Sequence, residues 1–148
     1  MSKTTGEIQP VARGVFSLPP YDRRPPWLLG GWCPACNEYY FPRPPYCRSC
    51  LGPVQEVSLG SRGTIYSFTV IRTKAPFGLP TPYSVGYIDL TEKPLRVFCM
   101  LDPGAVDRLR VGQTVRLAVE PLGQNAQGEP CLRPFFTPCA DEHTGEGL

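Results

Sequence analysis

The sequence is poor in the side chains that self-contained enzymes use for acid–base or nucleophilic catalysis. Its 148 residues include a single histidine, His143, near the C-terminal end. With no histidine in the body of the chain, a Cys–His or Ser–His catalytic pair is disfavoured. Cys99 stands in an apolar stretch, where a buried and inert thiol is expected, and Cys131 and Cys139 flank the last predicted strand. We therefore expect no catalysis by this chain alone.

The sequence also lacks a long apolar run and a strong excess of one charge. No segment approaches the roughly 20 apolar residues of a membrane-spanning helix, and the first residues lack the basic-then-apolar order of a secretory signal. We therefore expect a cytoplasmic protein without a membrane partner. The formal net charge is only +2, with acidic residues scattered among the basic ones. Nucleic acid, which is bound through basic grooves, is thus a disfavoured partner.

Proline and glycine, in contrast, are abundant, with 19 and 15 residues. Both residues oppose long helices and favour short strands joined by turns. Asp102 followed by Pro103 has the order of a helix N-cap and first turn, and predicts a short helix over 103–109. Strands rich in β-branched and aromatic residues are predicted at 54–59, 64–71, 84–90, 95–101, 114–120 and 131–137. The last five, with the helix between the third and fourth of them, predict a mainly β chain with a five-stranded OB-fold barrel.

Two Cys-x-x-Cys pairs, Cys33/Cys36 and Cys47/Cys50, stand ten residues apart. Two such turns brought together present four thiolates in a tetrahedron, the arrangement that structural Zn²⁺ prefers. A disulfide needs an oxidising compartment, and a redox-active Cys-x-x-Cys usually occurs once, near a βαβ pattern. An iron centre in the same four-sulfur cage is the main alternative. We predict one structural zinc per chain.

These features divide the chain into four predicted parts. Residues 1–30 form a Pro-rich arm, 31–59 a zinc ribbon, 60–138 the OB-fold domain and 139–148 a disordered tail. The arm carries Phe16, Tyr21, Trp27 and Leu28 without a periodic core of its own. It either wraps around a partner subunit or is a disordered tail with a few anchors on the ribbon.

The order of ribbon and barrel resembles the DUF35 family of acyl-CoA-associated OB-fold proteins. The resemblance covers about 28–136 and is carried by Cys33-x-x-Cys36, Phe41-Pro42-Arg43, Cys47-x-x-Cys50, the 63–70 strand, Pro82-Tyr83 and Leu109-x-x-Gly112-x-x-Val115. It implies a small, non-catalytic subunit that joins a larger thiolase-type enzyme and helps to bind acyl-CoA. The implied reaction is thiolytic C–C cleavage, for example of an aromatic acyl-CoA such as benzoylsuccinyl-CoA. A thiolase-fold aldolase or an enoyl-CoA hydratase is the alternative partner.

The long 72–83 loop is the predicted contact with CoA, because long loops in compact domains are often functional. Its cations Arg72 and Lys74 suit phosphate, and Gly78 permits close backbone approach. Its apolar residues suit the pantetheine arm: Phe77, Leu79, Pro82 and Tyr83. An ordinary surface loop with solvated charges is the alternative for each residue singly.

Tyr66 and Phe68 stand two residues apart in a predicted strand and so share one face of it. On an OB-fold, such a pair could stack nucleobases. Because the strand is apolar almost throughout, we interpret both residues as core. A nucleic-acid-binding ribbon and barrel is therefore only the second functional hypothesis.

Overall fold

The computed structural model describes residues 8–19, 21 and 24–139 of the chain. These residues form eight strands and one short 3-10 helix: β1 Leu28–Cys33, β2 Glu38–Tyr40, β3 Gln55–Gly60, β4 Arg62–Ile71, β5 Tyr83–Leu90, β6 Arg96–Leu101, the helix Pro103–Arg108, β7 Thr114–Gln124 and β8 Pro130–Pro138. Within the described ranges, no helix has the length and apolar character needed to span a membrane. The predicted mainly β class is confirmed.

The strands form two sheets, and the chain passes from the first sheet to the second between β3 and β4. The first sheet is three-stranded, in the order β2-β1-β3, and β1 pairs antiparallel with both neighbours. The second is a closed barrel in the order β4-β5-β6-β8-β7. A parallel contact of Leu101 with Phe136 joins β6 to β8 and closes it. The predicted five-stranded barrel is thus present, and the short helix lies between its third and fourth strands.

The barrel core follows from the alternation of apolar residues along its strands. Inward-facing side chains from every barrel strand are buried in one cluster, including Ile65, Ile88, Val97, Leu101, Val115, Leu117 and Phe136. Gly86 allows β4 and β5 to approach closely. A Cβ there would lie 2.2 Å from the Ser67 carbonyl oxygen and 2.8 Å from the Phe68 Cβ.

Three local expectations need correction. β7 continues to Gln124, beyond the strand predicted at 114–120, because Gln124 pairs with Pro130 beyond a register shift after Pro121. The short helix predicted over 103–109 is a 3-10 helix that ends at Arg108, and Asp102 caps it as expected by accepting from the Gly104 N–H at 2.8 Å. Tyr66 is 51% exposed, because a register shift between Ile65 and Ser67 turns it out of the core.

The described part of the arm packs against its own chain. Phe16 is 1% exposed and belongs to the main core. At the ribbon end, the Leu29 N–H donates to the Val15 carbonyl, while at the barrel end the Val11 N–H donates to the Leu132 carbonyl, each at 2.8 Å. Residues 8–19 therefore connect the two sheets. The predictions for 1–7, 20, 22–23 and 140–148 lie outside the described residues, whereas Cys139 is buried and belongs to the fold.

Candidate metal centre and ligand cleft

The four cysteines of the two Cys-x-x-Cys pairs lie together at one end of the three-stranded sheet. All four sulfurs lie within 4.8 Å of one another, and none of the four is in a disulfide. The Cys33–Cys50 and Cys36–Cys47 sulfur pairs are 3.6 and 3.9 Å apart. Tetrahedral Zn–S bonds of about 2.3 Å require S–S edges of about 3.8 Å. The cluster can therefore hold a metal ion with four protein ligands.

The two cysteine turns have the same backbone design. In each, the N–H of the residue after the second cysteine donates to the carbonyl of the first: Asn37 to Cys33 at 2.7 Å, and Leu51 to Cys47 at 2.9 Å. Asn37 and Leu51 both have positive φ, at 56° and 63°. Asparagine tolerates this left-handed conformation, whereas leucine rarely adopts it. The turns are thus shaped to direct two sulfurs each to one point.

Hydrogen bonds at the cluster lower the pKa of one thiol and raise that of another. The Tyr40 hydroxyl lies 3.2 Å from the Cys47 sulfur, and this hydrogen bond is the main reason that the pKa of Cys47 is lowered to about 6. The same contact raises the pKa of Tyr40 to about 12. A hydrogen bond with Cys50 is the main reason that the pKa of Cys36 is raised to about 12. Cys47 is therefore primed to bind metal as a thiolate.

The 72–83 loop folds back over the end of the barrel where β7 meets β8. The Gln124 N–H donates to the Phe77 carbonyl at 2.7 Å. Phe77 and Gly78 both have positive φ, at 57° and 68°, so glycine suits the backbone at 78. A Cβ at Gly123 would lie 2.8 Å from the Phe77 carbonyl oxygen, so that glycine lets the loop approach β7.

Beneath this loop, an apolar hollow of about 320 Å³ lies on the outer face of β5 and β6. Its walls come from four parts of the chain: the arm, the ribbon residue Phe41, the 72–83 loop and the barrel strands. They are Val11, Val15, Phe41, Leu79, Tyr83, Val85, Phe98, Cys99, Met100, Arg133 and Pro134. A smaller hollow of about 210 Å³, lined partly by Phe77 and Gln124, shares Val11 and Arg133 with it. We call the larger hollow the cleft.

The structure divides the predicted CoA residues into two groups. Tyr83 and Leu79 line the cleft, and Phe77 lines the smaller hollow. The remaining four, Arg72, Lys74, Gly78 and Pro82, are exposed and line neither hollow. The sequence did not reveal Arg133 as the cation of the cleft. Its approach to Phe77, with the guanidinium 5.9 Å from the ring centre, joins positions far apart in the chain.

The remaining thiols and aromatics have structural surroundings. Burial raises the pKa of Cys99 to about 12, in agreement with an inert thiol. Phe68 packs against the core as predicted. The exposed Tyr66 ring stacks under the Arg96 guanidinium at 3.4 Å, and Arg96 is also paired with Asp89. A cation already paired with a carboxylate is a poor phosphate ligand, which further disfavours nucleic acid on this face.

Together, the four-cysteine ribbon and the closed barrel define a two-module ribbon and OB-fold protein. The family model of the ChsH2 C-terminal OB-fold domain matches residues 56–120. Over 118 residues the chain is 40% identical to benzoylsuccinyl-CoA thiolase subunit BbsA of Thauera aromatica, a match that covers 79% of this chain and 80% of that one. It is 26% identical over 103 residues to a DUF35 domain-containing scaffold protein of Methanothermobacter thermautotrophicus, covering 68% and 77%. The chain belongs to the DUF35 family, as its motifs predicted.

A solved structure gives the same picture of the fold. The Ltp2–ChsH2(DUF35) aldolase contains a chain that superposes with a TM-score of 0.60 at 26% identity, covering 76% of this chain and 84% of that one. The covered share is larger than the barrel strands alone make up. The fold is therefore shared with a protein of known structure.

Proposed function

We propose that this chain is a non-catalytic accessory subunit of a thiolase-type enzyme that acts on an acyl-CoA. The 40% identity to a benzoylsuccinyl-CoA thiolase subunit, over most of both chains, is the observation that carries the proposal. On this proposal, the larger subunit supplies the cysteine and histidine chemistry of thiolytic C–C cleavage in a cytoplasmic complex. The small subunit supports assembly and substrate binding. An aromatic acyl-CoA such as benzoylsuccinyl-CoA is the proposed substrate class.

The proposed metal is one structural Zn²⁺, held by Cys33, Cys36, Cys47 and Cys50. The donor set supports this choice, since four thiolates with edges near those of a ZnS₄ tetrahedron suit zinc. Bound zinc supplies cross-linking of the two cysteine turns. Because the protein fills all four positions, the site has no place for a substrate. The ribbon residues therefore act by fixing a shape that the larger subunit can bind.

The proposed CoA contact is the 72–83 loop with its neighbouring hollows. Arg72 and Lys74 are exposed at the loop, where they are accessible to the phosphates of CoA. Phe77 and Pro82 present apolar surface beside Gly78, and Tyr83 continues this surface into the cleft. Such a division, with cations outside and apolar walls inside, matches the two chemical halves of CoA.

A thiolase-fold aldolase is the second candidate for the partner enzyme. The likeness to a chain of the Ltp2–ChsH2(DUF35) aldolase supports it. The role of the small subunit would stay the same, and the reaction of the larger subunit would change from thiolysis to aldol cleavage. An enoyl-CoA hydratase partner and a nucleic-acid-binding role remain as outcomes of the test.

The test is native co-purification of the full chain from its source cell, followed by mass spectrometry of the intact complex. A stoichiometric partner with a thiolase-type sequence, together with acyl-CoA thiolysis that needs both subunits, is the expected result. Recovery of an aldolase or a hydratase would select the corresponding alternative. Recovery of the chain with nucleic acid and without a large subunit would refute the proposal.

A further inference from the structure

The cleft combines apolar walls with one cation. Its lining from the barrel includes the outward-facing Val85 and Met100, which pair across β5 and β6, and the neighbouring Phe98. Val11, Val15 and Phe41 close it from the arm and the ribbon. Pockets for small molecules are typically of this kind, mostly apolar with a few polar groups that fix orientation. Among the described residues, Arg133 is the only charged one that lines the cleft.

Arg133 is held rigidly and keeps part of its hydrogen-bonding capacity unused. Its Nε–H donates to the Leu122 carbonyl at 3.1 Å, and its Nη2 donates to the Gln124 carbonyl at 2.8 Å and contacts the Cys131 sulfur at 3.6 Å. A guanidinium has five N–H groups. The two on Nη1 therefore make no hydrogen bond within the described ranges of the chain.

The positive charge of Arg133 also has no counterion within the described residues. Glu120 is its cross-strand partner, yet the two form no ion pair. The backbone carbonyls instead draw the guanidinium towards residues 122–124. A half-buried cation beside an apolar hollow is costly unless an anion joins it. Charge complementarity thus favours an anionic ligand.

We propose that the cleft binds a carboxylate that carries an apolar or aromatic body. The body would fill the space between Phe98, Val85 and the arm, and the carboxylate would accept from the two N–H groups of Arg133 Nη1. Two sources have this chemistry: a free organic acid, and an acyl group that keeps a second carboxylate after its first has formed a CoA thioester. The second source rests on the proposed function, whereas the binding site itself does not.

The test is calorimetric titration of the metal-loaded full chain, without a larger subunit, using 4-oxo-4-phenylbutyrate and its primary amide. The acid and the amide have the same body and differ in charge. We expect the acid to bind about tenfold or more tightly than the amide, the range expected for a hydrogen bond to a charged group. Arg133→Gln should abolish this preference, and Arg133→Lys should retain most of it.

Two further variants separate the cleft from general electrostatics and misfolding. Arg110→Gln removes an exposed cation that does not line the cleft, and should leave both affinities unchanged. Val85→Trp should weaken acid and amide alike by filling the cleft, while metal content and circular dichroism stay as in the parent. Equal binding of acid and amide, no binding of the acid, or a loss of affinity in Arg110→Gln as large as in Arg133→Gln would each overturn the proposal.

A pair of thioesters identifies the source. The acyl group of glutaryl-CoA ends in a carboxylate, whereas the acyl group of butyryl-CoA lacks that carboxylate and is uncharged. A preference for glutaryl-CoA that Arg133→Gln removes assigns the carboxylate to the acyl group, and a preference confined to the free acids assigns it to a separate ligand. If pantetheine displaces the acid and binds with a higher affinity than the acid does, a carboxylate site is refuted. Because the isolated chain is used, failure of the accessory-subunit proposal would appear only in the co-purification.

Discussion

The ribbon and the barrel are both built from short, mostly antiparallel strands, but different forces hold them together. The main buried cluster consists of aliphatic and aromatic side chains from every barrel strand, and it also takes in Phe16 of the arm and Leu28 and Leu59 of the ribbon sheet. Among the described residues, the buried cluster at the cysteine end of the ribbon consists of Cys33, Tyr40, Cys47 and Val54. A module this small cannot bury enough apolar surface to fold alone and usually needs a metal or disulfides. The barrel end of the ribbon sheet therefore shares the apolar core, whereas its cysteine end has the geometry to be held by a metal ion.

The largest expected effect comes from Cys47→Ser. Structural zinc contributes roughly 10–16 kcal/mol to the folding of zinc-finger peptides, so loss of one thiolate should release nearly all the metal and unfold the cysteine end of the ribbon. The barrel should stay folded. Metal analysis and amide exchange measure the two modules separately, and co-purification should show loss of the complex. Cys99→Ala, outside the cluster, is the control and should keep full metal content. A Cys47→Ser protein with normal zinc would refute the metal-dependent ribbon.

Phe16→Ala should give the next largest effect, on the barrel side of the comparison. Removal of a ring that is 1% exposed should cost about 3–5 kcal/mol of unfolding free energy. Leu18→Ala, two residues away and 46% exposed, should change it by less than about 0.5 kcal/mol. Urea titration compares both with the parent. Similar midpoints for the two variants would show that the arm is not part of the core.

Tyr40→Phe should make metal binding more sensitive to acid. The Tyr40 hydroxyl is the main cause of the lowered pKa of Cys47, from 9.0 to about 6. A lowered thiol pKa gives stability that is present above pH 9 and is lost as pH falls through about 6. In the variant, the pKa of Cys47 should rise, and the pH at half metal loss should rise with it. Tyr39→Phe is the control, and an unchanged pH midpoint in Tyr40→Phe would contradict this account.

The smallest expected effect is a gain in stability from Ser84→Ala. The Ser84 hydroxyl is fully buried in the barrel and has no hydrogen-bond partner within the described residues. Its removal should raise the unfolding free energy by about 1 kcal/mol, since a buried unsatisfied polar group is unfavourable. Thr137→Val should have the opposite sign, because the Thr137 hydroxyl donates to Asp102 at 2.6 Å. Thermal unfolding measures both, and a destabilised Ser84→Ala would contradict the prediction.

Local patterns allowed the ribbon and most strands to be predicted. Two Cys-x-x-Cys turns carry their geometry within four residues each, so spacing alone indicated that Cys33, Cys36, Cys47 and Cys50 lie together. The barrel strands were predicted to within a few residues, apart from the end of β7. Strand composition and turn residues encode such elements locally.

Features that depend on contacts between distant residues could not be predicted. A one-residue register shift exposes Tyr66, and no pattern in its strand signals it. Arg133 reaches Phe77 only because the 72–83 loop folds over β7. Phe16 looked like part of a loose arm, because its burial depends on both sheets. The cleft is formed by four separate segments and could not be predicted for the same reason.

The pairing of the arm with β8 has a consequence for biosynthesis. The metal cluster needs only residues 33–50, so it can form as soon as that stretch leaves the ribosome. Val11 forms its hydrogen bond with Leu132, which lies in β8 near the other end of the chain. β6 also needs β8 to close the barrel. Metal loading can therefore come early in synthesis, whereas arm docking and barrel closure require the last strand. Translation that stops before β8 should yield a loaded ribbon attached to an open barrel.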